Sequence, residues 1–375
     1  MSVLPRLTLC MIVSVNYKRL EISRIRYLRL TNTNVKFNML QTNYSLRSSN
    51  TFGFDVRARI GGPICSEADL TALRADQRMV NMPRIVLGLG SNIVFTRDFD
   101  GLALVINLRG RRVIAQIDDA YIIEVAAGER WHDFVDWTLQ QGMPGLENLA
   151  MIPGTVGAAP VQNIGAYGLE LAERFERLRA LDMINGRIVE LDSQECAFGY
   201  RDSIFQHAVR DQLIILSVVF RLPKRWCARN LYADVASRLA VNNISKPTAR
   251  QIFDVITEIR REKLPDPAIL GSVGSFFKNP IVDTEQFLVL REKEPDIVYY
   301  NQRDGRVKLA AGWMIDRCGW KGRSIGKAAV HKSQSLVLVN RGGATGEQIL
   351  TLARAIRSDV SRRFGLKLDI EPRII

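Results

Sequence analysis

Histidine and cysteine are scarce in this chain, with three of the one and five of the other in 375 residues. Neither type clusters. His132, His207 and His331 stand far apart, and Cys10, Cys65, Cys196, Cys227 and Cys318 form no CxxC pair. These absences exclude a disulfide framework and a structural zinc at its usual ligand spacing. They fit a reducing, cytoplasmic setting. No run reaches the ~18 apolar residues a membrane span needs, so no membrane insertion is expected. Internal repeats and low-complexity tracts are also missing. Beyond the N-terminus there is no lysine- and arginine-rich stripe with interleaved aromatics, so nucleic acid is not the expected partner.

What is present is the composition of a globular protein, 47% apolar and 24% charged, long enough for two or three domains. The net charge of +13 is uneven. Residues 1–38 hold seven basic residues against Glu21 alone, which leaves +7 for the remainder. That diffuse excess fits a small polyanionic ligand. The apolar run from Leu7 to Val15 is short, follows Pro5 and Arg6, and ends without a small-residue cleavage site, which makes a poor signal peptide. A disordered extension, or a start at Met39, accounts for residues 1–38 better.

The stretch PGTVGAAPVQNIGAYG (153–168) organises the chain. Its four glycines and two prolines oppose a helix interior, and its small side chains leave backbone N–H groups free to face an anion. The bland reading is a long surface loop, but loops of this length are more often functional. RIVLGLGSNIVF (84–95) resembles a dinucleotide fingerprint, yet it lacks the third glycine and no helix pattern follows. Its small residues can still offer N–H groups to a pyrophosphate.

Around these loops the periodicity predicts helices at 66–80 with Ser66 as cap, 131–141 ending at Gly142, 247–262, 308–316 and 345–365. Strands are predicted near 102–107, 112–117, 120–126, 178–183, 187–191, 213–222 and 335–340, with a last one in 367–375. GSVGSFFKNP (271–280) reads as a second small-residue loop. Pro223 and Lys224 mark a domain boundary.

Eight motifs then occur in one order: NTFG (50–53), LGLGSN (87–92), GMPGLENLAMIPGTVGAAPVQNIGAYG (142–168), FGYRDS (198–203), KLPDP (263–267), GSFFKNP (274–280), KLAAGWMID (308–316) and AVHKSQSLVLVN (329–340). Over residues 44–375 the chain resembles the UDP-N-acetylenolpyruvoylglucosamine reductase (MurB) family. NLYADV adds Tyr232, which resembles the form of the family with a substrate-covering tyrosine loop.

The resemblance implies an α+β protein with an FAD-binding fold of the vanillyl-alcohol-oxidase / p-cresol methylhydroxylase type. Two α+β subdomains are expected at about 44–107 and 108–225. A substrate domain for the UDP-sugar is expected at 226–365, with a C-terminal strand, 366–375, returning to the active site. The implied cofactor is noncovalent FAD, with NADPH as hydride donor. The implied reaction reduces UDP-N-acetylglucosamine enolpyruvate to UDP-N-acetylmuramate for cell-wall synthesis, by a cytoplasmic monomer. Arg201 matches the family residue that stabilises the enediolate, Glu371 its partner in that role, and Ser275 the proton donor. Tyr232, Lys263, Asn279 and Gln334 match substrate positions, Lys263 at the diphosphate. FAD contacts fall on Gly88, Gly90, Ser91, Asn92, Pro153, Gly154, Thr155, Gly157, Ala158, Asn163, Gly165, Ala166 and Tyr167.

Taken singly, each residue has a duller reading. Arg201 beside Asp202 would be a surface ion pair, Ser275 a turn residue after Gly274, Tyr232 half-buried packing and Lys263 a cation at a helix C-terminus. Glu371 would be a solvated charge at a strand end, and the chain stops only four residues after it. Two rivals to the whole reading exist. A sugar or alcohol oxidase of the same fold often carries a covalent flavin on histidine or cysteine, and neither glycine-rich loop holds one. A basic, non-enzymatic nucleic-acid binder has only the N-terminal charge in its favour, and a yellow purified protein separates it from the enzyme.

Overall fold

The computed structural model describes residues 40–229 and 232–375. The extension expected at 1–38 lies outside the described residues. The first sheet joins β1 (Gln41–Ser45), β2 (Arg57–Ile64), β3 (Arg84–Leu87) and β5 (Phe99–Ile106) in the order β1-β2-β5-β3, with β2 and β3 parallel to β5. Between the last two, β4 (Ile93–Val94) leaves the sheet. Helix α1 (Glu67–Ala75) begins where expected: Ser66 accepts from Asp69 N–H and Asp69 returns the bond, which satisfies two of the helix's orphan donors. A single turn, α2 (Gln77–Val80), follows.

The second sheet is antiparallel, in the order β9-β8-β10-β7-β6. Its strands are β6 (Arg111–Gln116), β7 (Ala120–Ala126), β8 (Phe175–Asp182), β9 (Ile188–Asp192) and β10 (Leu213–Pro223). Helix α3 (Trp131–Gln140) covers it, and Gly142 takes the left-handed φ of +71° past its end. Trp131, Phe134 and Phe220 pack together with ring centroids 5.0–5.9 Å apart.

Helices α4 (Ala233–Val241) and α5 (Ala249–Lys263) lie beyond the boundary expected at 225. Their buried residues Val235, Leu239, Ile252, Ile256 and Ile259 nevertheless join the core of the second sheet. The next units build a different core. β11 (Gly271–Ser275), β15 (Ser324–Ile325), β16 (Ala328–Val330) and β17 (Val337–Asn340) form a sheet in the order β11-β17-β16-β15. β12 (Ile281–Val282), β13 (Tyr299–Asn301) and β14 (Val307–Leu309) form a small one, beside α6 (Thr284–Lys293) and α7 (Ala311–Arg317). α8 (Gly346–Phe364) seals this core through Ile349, Ala353, Ile356, Val360 and Phe364, capped by Thr345 and Gln348 and ended by Gly365 at φ +67°.

The first sheet belongs to both cores. In β5, Leu102 and Leu104 face one and Ala103 the other, the period-2 alternation of a strand covered on both sides. That arrangement sets the C-terminal half beside the glycine-rich loops.

Three expectations are corrected. The loop expected at 271–280 begins as strand β11. Gly271 is there because a Cβ would lie 2.3 Å from the Phe52 carbonyl oxygen, so the glycine permits close strand packing rather than a turn. The helix expected at 308–316 starts only at Ala311, since Val307–Leu309 pairs with both β12 and β13. The last strand is also shorter than expected, β18 (Arg373–Ile374), paired in parallel with β4.

Candidate functional site

A cavity of about 730 Å³ opens where the two cores meet, within the range of small-molecule sites. One wall is the loop Gly88–Asn92 between β3 and β4, and the facing wall is 153–168. The walls touch. Ser91 Oγ donates to the Pro153 carbonyl at 3.0 Å, and Asn92 Nδ2 bonds Gln162 Oε1. A Cβ on Gly88 would lie 2.5 Å from Thr155 Oγ1, and one on Gly157 would lie 2.5 Å from Ala127 Cβ.

Stretch 153–168 is two short 3-10 turns, Val156–Ala158 and Pro160–Gln162, followed by a tight hairpin of Gly165–Ala166 with Leu169–Glu170. Between the walls, the N–H groups of residues 89–92 meet no acceptor among the described residues. Unpaired backbone donors on a concave surface form an anion site of the kind a pyrophosphate fits. The donor set therefore suits FAD. Gly88, Gly90, Ser91, Asn92, Pro153, Gly154, Thr155, Gly157, Ala158, Gly165, Ala166 and Tyr167 all line the cavity. Asn163 does not. It is 1% exposed at φ +43°, and its amide bonds Glu170 Oε2 and the Gly199 carbonyl while its Oδ1 accepts from Ala172 N–H. It shapes the loop from behind.

Arg201 and Glu371 meet at the cavity, with Nε and Oε1 3.5 Å apart. The alternative pairing of Arg201 with Asp202 does not occur, for Asp202 pairs with His207 at 2.8 Å. Arg201 sits in a tight turn at φ +53°, a conformation costly for a bulky residue. The turn is held from outside: the Arg201 carbonyl accepts from Gln206 Nε2 at 2.7 Å and Lys278 Nζ at 3.2 Å, and the guanidinium donates to the Gly165 carbonyl.

Glu371 hangs from the C-terminal segment. Its N–H donates to the Phe276 carbonyl, and Ile370 bridges Phe277. Beyond it Arg373 N–H donates to Asn92 O, its guanidinium clasps Asp211 at 2.6 and 2.8 Å, and the Ile375 carbonyl accepts from Thr96. These contacts anchor the glutamate. Burial pushes the Glu371 carboxyl above its ordinary 4.5, while Arg201 and Lys278 pull the other way. The proton held by the folded state contributes stability that is complete below about pH 4.5 and fades as pH rises through the raised value.

Ser275 ends β11 after a break in register, with Gly274 at φ +75°. Such a bulge re-aims the next side chain, and Ser275 lines the cavity with no hydrogen bond from its hydroxyl to another described residue. Asn279 and Gln334 also line it. Asn279 Oδ1 accepts from Ala311 N–H at the start of α7, and Gln334 Oε1 from Leu336 N–H. Tyr232 stacks with Tyr300 and meets Tyr167 edge-on, at 6.3 and 5.2 Å between centroids. Lys263 lines the cavity and pairs with Asp234 at 2.6 Å.

Sequence reasoning missed Arg260. It projects into the cavity from α5, donates to the Met151 carbonyl at 3.3 Å and lies beside Tyr167, and burial disfavours its charge. His132 in turn holds the Met151 N–H through Nδ1 and stacks on Phe253, with burial lowering its own basicity. Nothing in EIRREK separates Arg260 from its charged neighbours. Only the helix phase relative to the cavity does.

Residues 266–375 match the family model described as UDP-N-acetylenolpyruvoylglucosamine reductase, C-terminal domain, and residues 65–192 match the FAD binding domain. Among curated relatives, the UDP-N-acetylenolpyruvoylglucosamine reductase of Paraburkholderia xenovorans is 60% identical over 331 residues, 88% of this chain and 96% of that one. The enzyme of the same name from Burkholderia mallei is 58% identical over 335 residues, 89% and 96% of the two chains. The crystal structure of the reductase from Thermus caldophilus, 21% identical, superposes with a TM-score of 0.60 over 93% of this chain and 99% of that one, which supports the fold. Among the described residues no helix is long and apolar enough to cross a membrane. Both glycine-rich walls fall within the FAD-binding match, and Ser275, Asn279, Gln334 and Glu371 of the same cavity fall within the reductase's C-terminal domain. With relatives 58–60% identical over 88–89% of its length, the chain belongs to the UDP-N-acetylenolpyruvoylglucosamine reductase family.

Proposed function

We propose that this cavity reduces the enolpyruvyl ether of UDP-N-acetylglucosamine to the lactyl ether, with Arg201, Glu371 and Ser275 as its working groups. The observation that carries the reading is their convergence: three residues from distant parts of the chain line one cavity beside the glycine-rich walls. FAD, reduced by NADPH, supplies a hydride when bound. The backbone N–H groups of 89–92 would hold its pyrophosphate, with the 153–168 stretch as the facing wall that excludes water.

A hydride at the terminal enolpyruvyl carbon drives negative charge onto the carboxylate as an enediolate. Arg201 opposes that charge with a fixed fork suited to a carboxylate. Glu371, whose carboxyl burial shifts toward the protonated form, donates in that form a hydrogen bond to the same oxygens instead of repelling them. Ser275 Oγ gives its proton to the carbon next to the carboxylate. A serine is a weak acid in water, but a carbanion-like centre is basic enough to take the proton. Lys263 meets the diphosphate, Tyr232 covers the substrate, and Asn279 and Gln334 contact the sugar.

The substrate side of the cavity falls to 266–375 together with Tyr232 and Lys263, and the flavin side to 44–225. The protein acts as a cytoplasmic monomer without nucleic acid. Residues 1–38 are dispensable: a chain beginning at Met39 is expected to keep its flavin and full turnover, and a colourless or inactive product contradicts that.

The direct test is the chromophore. The purified protein is expected to be yellow and to release all its FAD into the supernatant on acid precipitation. Flavin retained on the pellet would point to the covalent oxidases instead, and a colourless protein would remove the enzymatic reading.

A further inference from the structure

Lys263 is not free in this structure. It is the last residue of α5, and its ammonium lies 2.6 Å from Asp234 in the first turn of α4. The same two helices are also joined by Arg238, which pairs with Glu262 at 2.6 Å and with Glu258 at 3.5 Å. That second clasp does not touch the cavity, whereas Lys263 and Asp234 both line it. The helices are thus held together elsewhere, and Asp234 places a carboxylate where an anionic ligand has to arrive.

We infer that Asp234 is an internal counter-ion, occupying Lys263 until a diphosphate displaces it and so setting the anion affinity of this part of the cavity. The inference rests on the reading of Lys263 as the diphosphate ligand. An incoming diphosphate must break the Lys263–Asp234 pair and then tolerate the released carboxylate nearby. Both effects weaken binding, and both require the charge at 234. A weakly charged or neutral ligand gains too little from Lys263 to displace Asp234, so the residue selects for groups of high negative charge. Both side chains keep about two-fifths of their exposure, 42% and 43%, which limits the pair to the modest strength of solvent-screened contacts.

The test is calorimetric titration of UDP into the FAD-loaded full-length protein. Asp234→Asn is expected to bind UDP about three- to tenfold more tightly. Asp234→Glu, which keeps the charge, is expected to stay close to wild type, and Lys263→Met to bind at least tenfold more weakly. If Lys263→Met leaves the affinity unchanged, Lys263 is not the diphosphate ligand and the reading beneath the inference falls. If Lys263→Met weakens binding while Asp234→Asn fails to tighten it, Asp234 is only a helix clasp and the inference alone is overturned. Equal tightening by Asn and Glu would also overturn it, since the charge would then not be the cause. Melting temperatures of the three variants keep a folding defect from passing as a change in affinity.

Discussion

Ser275→Ala is expected to separate the two half-reactions. NADPH needs only the flavin to accept its hydride, and no proton donor at carbon takes part, so bleaching of the flavin by NADPH should proceed at nearly the wild-type rate. Reoxidation by the enolpyruvyl sugar requires a proton at the carbon beside the carboxylate, and alanine has none to give. General acid catalysis is worth about 10²–10⁴-fold, and the expected loss lies at or above the top of that range with sugar binding largely kept. The structure makes the test clean. The hydroxyl has no hydrogen-bond partner among the described residues, so its removal breaks no contact there. The bulge at Gly274, not the side chain, sets the local backbone. If Ser275 merely shaped the strand end, both half-reactions would slow equally and modestly. Stopped-flow absorbance reads each separately.

Arg201→Met is expected to be the second most damaging change. It removes the cation proposed to face the enediolate and leaves Glu371 without its partner 3.5 Å away. Losing one preorganised charge-stabilising group typically costs about 10²–10³-fold in turnover, and the expected loss in the sugar half-reaction is about 10³-fold. Reduction by NADPH should change only a few-fold. A purely structural role would move both together.

The pH profile adds a second readout. Arg201 lowers the Glu371 pKa, against the larger effect of burial. Activity that needs protonated Glu371 declines as pH rises through its raised value. Without Arg201 that value rises further, so the alkaline limb should move to higher pH in the variant. A limb that stays in place would show that Glu371 is not the titrating group.

The parts of this site that were legible in the sequence are those where small residues let the backbone itself line the cavity. LGLGSN and 153–168 stand out because only small residues permit the approaches seen at Gly88 and Gly157. Ser275, Arg201 and Glu371 were placed by motif order, and no spacing rule would have joined residues 201, 275 and 371. The duller alternatives for Arg201 failed for a visible reason: Asp202 was engaged by His207 five residues on, a pairing that the local sequence does not announce.

What stayed hidden depended on packing between distant segments. Gly271 reads as a loop former, yet it is a strand residue pressed against Phe52. The amphipathic face of α5 showed that the helix is half-buried but not which core it joins, so the sequence boundary at 225 cut α4 and α5 from the sheet they pack with. Asp234 and Arg260 line the cavity, and only the phase of each helix distinguishes them from the charged residues beside them in the sequence.

The central claim is that one cavity presents the sugar's carboxylate to Arg201 and Glu371 and its reacting carbon to Ser275. A crystal structure of the FAD-loaded Ser275→Ala protein with UDP-N-acetylglucosamine enolpyruvate tests this most directly. The expected result has the carboxylate within hydrogen-bond reach of Arg201 and Glu371, and the adjoining carbon about 3–3.5 Å from where the Ser275 hydroxyl would lie. A sugar bound with its enolpyruvyl group turned away from these three residues, or outside the cavity, would contradict the account.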